Sequence, residues 1–111
     1  HSSDSETPRD KEILEIGPIR LDAARYLVVV GGDEVRLTHK EFETLRFLMS
    51  NCGMVVSRNQ LLVQVWGYEV AGETRTVDAH IQTLRKKIGE VDQEAASLIE
   101  TVRGVGYRMK G

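Results

Sequence analysis

"RTVDAHIQTLRKKIG", residues 75–89, decides the fold. Val77, Ile81, Leu84 and Ile88 fall at i, i+4, i+7 and i+11, one narrow apolar stripe on a helix whose residues advance by about 100° each. The spacing predicts a helix over residues 74–88 with that stripe on the core, stopped by Gly89. Opposite the stripe lie Arg75, Ala79, Gln82 and Lys86, with Thr83 nearby; His80 and Lys87 form one flank and Arg85 the other. Amide, cation, hydroxyl and small methyl are the groups that read base edges in a major groove, amide to adenine, cation to guanine, methyl to the thymine methyl. Flanking cations suit phosphates. An ordinary solvated helix face also carries Lys, Arg and Gln, and that is the competing reading. Such a face usually carries Glu as well, and Asp78 is the only acid of this helix.

The next informative stretch is "TVRGVGYRMK", residues 101–110. It reads as two strands around Gly104-Val105-Gly106, the tip of a hairpin over residues 98–110. The glycines allow a sharp turn that leaves Arg103 projecting. An arginine beside a major-groove helix is placed for the adjacent minor groove. Thr101 offers a hydroxyl to phosphate. Tyr107 reads partly as a half-buried strand residue and is taken as a further phosphate contact.

Upstream, the pattern changes. "ILEI", "IRLD", "YLVVV" and "EVRL", between residues 13 and 37, are short segments rich in branched residues, separated by Gly17-Pro18, Asp22-Ala23-Ala24 and Gly31-Gly32-Asp33. They predict a four-stranded antiparallel meander with one packing face. Thr38 and Glu41 match a capping box, and Phe42, Leu45, Leu48, Met49 and Cys52 share one helical side that ends at Gly53. "MVV", residues 54–56, allows a brief strand. Ser57 and Gln60 match a second capping box, opening a helix to about Trp66 with Leu61, Leu62, Val65 and Trp66 inward. Gly67, Tyr68, Glu69, Val70, Ala71, Gly72 and Glu73 form the loop before the third helix. The fold class expected is α+β: a four-stranded sheet, three core helices of which the last two resemble a helix-turn-helix, and a C-terminal hairpin wing.

The totals agree. At 111 residues the chain suits one domain, expected over residues 13–111, and 41% hydrophobic residues can supply its core. Residues 1–12 lack periodicity and read as an interdomain linker with an expression remnant at His1 to Ser3, which suggests a preceding domain. No run of about 18 apolar residues exists to span a membrane. No signal peptide is visible, and the single cysteine, Cys52, excludes an intramolecular disulfide. Net charge is -2, but unevenly spread: residues 1–73 hold 8 Lys+Arg and 12 Asp+Glu, residues 74–111 hold 7 and 5. An anionic partner for the C-terminal part needs a local positive potential, not a positive total.

"RTVDAHIQTLRKKIG" followed by "IETVRGVGYRMK" closely resembles the winged-helix output domain of OmpR/PhoB-type response regulators in bacterial two-component signalling. The resemblance covers residues 13–110 and includes "LTHKEFETLRFLMSNCGMVVSRNQLLVQVWGY", similar to that family's first two helices. It implies a cytoplasmic transcription regulator that binds double-stranded DNA with tandem half-sites as a head-to-tail homodimer. It also implies control by an N-terminal receiver domain, absent from this chain, which a sensor histidine kinase phosphorylates. Carried over by position, Arg75, His80 and Thr101 look like phosphate contacts, Ala79, Gln82, Thr83 and Arg85 like the base-facing set, and Arg103 like the minor-groove arginine of the wing. Lys86 joins the base-facing set and Lys87 the phosphate set from the helical wheel. Residues 67–73 correspond to the family's RNA polymerase contact loop. The sequence departs from the family at Gln82-Thr83, where many members carry cations.

Other classes fit less well. A thiol enzyme would need Cys52 exposed beside a base, whereas the helical spacing puts Cys52 on the core stripe, where cysteine acts as a small hydrophobe. His1, His39 and His80 show no ligand spacing, so no metal or other cofactor is expected. A winged helix devoted to protein binding would show little salt-dependent attachment to DNA. Trp66 and Tyr68 invite stacking on single strands, but Trp66 falls at core spacing.

Overall fold

The computed structural model describes residues 13–70 and 73–111. The linker expected over residues 1–12, and Ala71 and Gly72 of the expected contact loop, lie outside the described residues. The chain opens with strands β1 (Ile13–Ile16), β2 (Ile19–Asp22), β3 (Leu27–Val30) and β4 (Asp33–Val35), paired antiparallel in the order β1-β2-β3-β4. Their alternation puts Ile19, Leu21, Val28, Val30 and Val35 inward and Arg20 and Glu34 outward. The Asp22 carboxylate accepts from the Ala24 and Arg25 N–H groups, which bends the chain between β2 and β3.

Helix α1 (His39–Ser50) starts on a complete capping box: Thr38 Oγ1 accepts from the Glu41 N–H, and Glu41 Oε1 accepts from the Thr38 N–H at 2.9 Å. Its inner side carries Phe42, Leu45, Leu48 and Met49. Cys52 does not continue that stripe. The helix stops at Ser50, where Asn51 leaves helical geometry and its amide donates to the Phe47 carbonyl, so Cys52 lies off the helical path and is exposed. Strand β5 (Val55–Ser57) leads into α2 (Arg58–Trp66). Ser57 caps α2 through the Gln60 N–H. Leu61 and Leu62 are fully buried, and Trp66 packs partly buried against the core. The described part of the loop beyond it contains a 3-10 turn, Tyr68–Val70.

Helix α3 (Arg75–Gly89) buries Val77, Ile81, Leu84 and Ile88 completely, as its spacing predicted. It runs one residue past the expected end. Gly89 serves close packing as much as termination, because a Cβ there would stand 3.3 Å from the Gln93 amide and 3.5 Å from Ala96. Those neighbours belong to a short further helix that the sequence reading missed, α4 (Gln93–Ser97), which packs beside the three expected helices among the described residues. Asp92 caps it by accepting from Glu94 and Ala95, and Ala95 and Ala96 are buried. Strands β6 (Ile99–Val102) and β7 (Gly106–Met109) then form the C-terminal hairpin. β5 adds to its other side, giving a three-stranded sheet ordered β5-β7-β6. Gly106 makes this possible: a Cβ there would overlap the Val56 carbonyl oxygen. Among the described residues no helix is long and apolar enough to cross a membrane.

Candidate nucleic-acid interface

The buried stripe fixes the rotation of α3, and rotation decides what the helix shows to solvent. Arg75, Ala79, Gln82, Thr83 and Lys86 are exposed. Thr83 Oγ1 donates back to the Ala79 carbonyl at 3.1 Å, which fixes its rotamer while the side chain stays exposed. An open groove of about 550 Å³ runs beside this face, with Gln82, Arg85 and Lys86 on one side and Gln93 and Ser97 of α4 on the other.

The flanking residues are held by the fold. His80 is half-buried, its Nδ1 lies 2.9 Å from the Thr76 carbonyl, and its ring meets Trp66 edge-on at 4.8 Å. A carbonyl partner requires the proton on Nδ1. Lys87 reaches away from the exposed face, and its ammonium donates to Glu41 Oε1 at 2.7 Å. Glu41 is nearly fully buried. Burial pushes its carboxyl up, but the Lys87 hydrogen bond, the Thr38 N–H and the Lys87 charge outweigh that and hold it below its ordinary 4.5. Arg85 is half-buried; it donates to the Ile99 carbonyl at 3.0 Å and lies over the Tyr107 ring.

The wing stands alongside. Its tip is a tight turn in which the Val105 N–H donates to the Val102 carbonyl. Gly104 sits at φ +75°, a conformation that favours glycine, and Arg103 before it is exposed. Thr101 is exposed on β6. Its cross-strand neighbour Tyr107 is buried, and the phenol donates to Asp78 Oδ1 at 2.6 Å. Burial first, then the Asp78 hydrogen bond and charge, raise the Tyr107 pKa to about 12. Asp78 also pairs with Arg58, the first residue of α2, at 3.1 Å. The structure therefore brings Arg75, Ala79, Gln82, Thr83 and Lys86 onto one open face. It ties His80, Arg85, Lys87 and Tyr107 to protein groups.

Asp78 and Arg58 were not singled out by the sequence as parts of a site. The available signal was Asp78's solitude: a lone acid among cations needs an internal partner. In the loop, Gly67 ends α2 at φ +100°, Tyr68 is 83% exposed, and Glu69 and Glu73 are exposed. Among the described residues no group of three or more His, Cys, Asp or Glu side chains is placed to hold a metal ion.

Comparison with known proteins fits this geometry. Residues 32–109 match the family described as "Transcriptional regulatory protein, C terminal". The sensory transduction protein RegX3 of Mycobacterium tuberculosis is 43% identical over 108 residues, which cover 97% of this chain and 47% of that protein. This chain thus spans about half the length of the curated relatives it matches. Among solved structures, the Thermotoga maritima response regulator DrrB, an OmpR/PhoB homologue, superposes with a TM-score of 0.76 at 38% identity, over 89% of this chain and 44% of that one. The Klebsiella pneumoniae RstA DNA-binding domain, solved in complex with the RstA box, superposes with a TM-score of 0.77 at 31% identity, over 89% of this chain and 97% of that one. The chain belongs to the C-terminal family of transcriptional regulatory proteins, as a winged-helix effector domain of the OmpR/PhoB type.

Proposed function

We propose that this chain binds double-stranded DNA sequence-specifically, as the output domain of a bacterial two-component response regulator. The observation that carries the proposal is the open α3 face, with Arg75, Ala79, Gln82, Thr83 and Lys86 set beside the exposed Arg103 of the wing. In this reading α3 lies in the major groove. Gln82, Thr83, Ala79 and Lys86 meet base edges, and Arg75, His80 and Thr101 meet phosphates. Arg85 uses one of its five N–H donors on Ile99, which leaves others for the groove. Arg103 enters the adjacent minor groove. Lys87 and Tyr107, engaged with Glu41 and Asp78, serve the interface by holding its parts rather than by touching phosphate.

The activity of the whole protein is part of the same proposal. A receiver domain precedes residues 13–111 and is phosphorylated by a sensor histidine kinase. Two copies occupy tandem half-sites as a homodimer, which raises affinity without new contacts to each half-site. The loop from Gly67 to Glu73 touches RNA polymerase, and the protein works in the cytoplasm, without a cofactor and without catalysis. The test is selection of DNA from a random pool, followed by titration with salt. Tandem motifs and a log affinity that falls steeply with log salt are expected. Salt-independent attachment, or no enriched motif, overturns the proposal.

A further inference from the structure

Helix α3 and the wing hairpin lie side by side and, among the described residues, two side-chain hydrogen bonds join them. At the base of the hairpin, Arg85 donates to the Ile99 carbonyl at 3.0 Å. Towards the tip, the Tyr107 hydroxyl donates to Asp78 at 2.6 Å. Asp78 and Arg85 are seven residues apart, so the two ties are separated by about 10 Å along the helix. β5 pairs with the outer edge of β7 from Arg108 to Gly106, so the hairpin is part of a three-stranded sheet, and the two ties fix the angle between that sheet and the helix. Arg58 adds a third element to the upper tie, since its guanidinium meets the other Asp78 oxygen at 3.1 Å. Asp78 thus accepts from β7 and from the start of α2 while standing on the first turns of α3.

Tyr107 lies close to the tip. It pairs with Thr101, the next pair is Val102 with Gly106, and Arg103 follows in the turn. Removing the upper tie would leave the core contacts of α3 unchanged, since Val77, Ile81, Leu84 and Ile88 make them. It would leave the end of the hairpin that carries Arg103 held by β5 and joined to α3 only through Arg85, which loosens its angle to the helix.

The geometry points to Asp78 and Tyr107 as positioning residues that set the distance between the major-groove face of α3 and the wing arginine, so that both grooves are engaged at one spacing. This inference rests on the proposed DNA-binding function and deepens it. The phenol–carboxylate bond is short and part-buried, and a charge-assisted hydrogen bond of this kind is directional.

The experiment uses the 111-residue chain and compares duplexes whose half-site is flanked by A·T-rich or by G·C-rich steps. Tyr107→Phe keeps the ring and deletes the tie. It is expected to weaken binding about tenfold on the A·T-rich flank, where a misplaced Arg103 loses its groove contact, and to erase most of the preference between flanks. Arg103→Ala in the same background should then cost little more, whereas in the unsubstituted chain it removes the preference by itself. Asp78→Asn still offers an oxygen to the phenol and should keep most of the preference; Asp78→Ala should lose it. Thermal melts of each variant separate a lost fold from a lost angle. A Tyr107→Phe chain that melts cooperatively and keeps its flank preference overturns this inference alone, as does equal behaviour of Asp78→Asn and Asp78→Ala. No flank preference in the unsubstituted chain, with Arg103→Ala silent on both duplexes, overturns the wing assignment beneath it and this inference with it.

Discussion

Gln82 and Thr83 show how a side chain becomes available to a ligand. Both are exposed, and the nearest bond of Thr83 is to its own helix, so neither is needed by the core. Gln82→Ala or Thr83→Ala should therefore leave the melting temperature unchanged and relax base preference at one or two positions of the half-site, by about 1–3 kcal/mol per lost contact. Selection from random DNA reads the effect, and an unchanged motif for both variants would show that the face is turned away from the bases. Tyr107 shows the reverse. Its pKa is raised to about 12, so the folded state favours the neutral phenol. The resulting stability is complete below the ordinary phenol value near 10 and is lost as pH rises towards 12. Tyr107→Phe should flatten this part of the alkaline unfolding profile, measured as the difference in melting temperature between the two proteins from pH 9 to pH 12, about one unit below the ordinary value to the raised one. An identical slope in both would remove Tyr107 from the account.

At the scale of elements, legibility followed periodicity. The α3 stripe runs from Val77 to Ile88, so chance agreement is small, and all four stripe residues are buried. The four-stranded meander was legible from its turns. α4 was not, because five residues hold barely one turn and carry no period; Asp92 followed by Ala95-Ala96 was the only trace. Cys52 was misplaced because helical spacing was extended past the residue at which the backbone left the helix. The pairing of β5 with β7 joins segments about fifty residues apart, and nothing local in "VVS" announces a partner. The Asp78–Tyr107 and Glu41–Lys87 bonds span 29 and 46 residues and were invisible for the same reason. The loop after α2 carries a prediction at this scale. Tyr68 and Glu69 are exposed and no described hydrogen bond ties them to the α3 face. Substituting both by alanine should lower activated transcription in vitro while the DNA footprint stays unchanged. A parallel loss of DNA affinity would place the loop at the DNA instead.

For the whole molecule, the exposed basic face must be carried on a frame that does not yield. Lys87, at the far end of α3, meets Glu41, at the start of α1. Lys87→Ala would leave a nearly buried carboxylate without its cation and should cost about 2–3 kcal/mol, less than for a fully buried pair because the Lys87 side chain is one-third exposed. The pair also gives an acid signature. Glu41 is held below its ordinary 4.5, so its contribution is present above that value and is lost as pH falls through the lowered one. Chemical denaturation at pH 7 and at pH 3 should show the difference between the unsubstituted chain and Lys87→Ala shrinking in acid; a constant difference would mean that charge plays no part.

A single oxygen, Glu41 Oε1, accepts both from the Thr38 N–H that opens α1 and from the Lys87 ammonium near the end of α3. The reading face itself takes no share in this joint. The letters on that face can therefore be exchanged, and a new target acquired, without disturbing either hydrogen bond of the joint beneath. A change of specificity here is chemically separate from a change of stability.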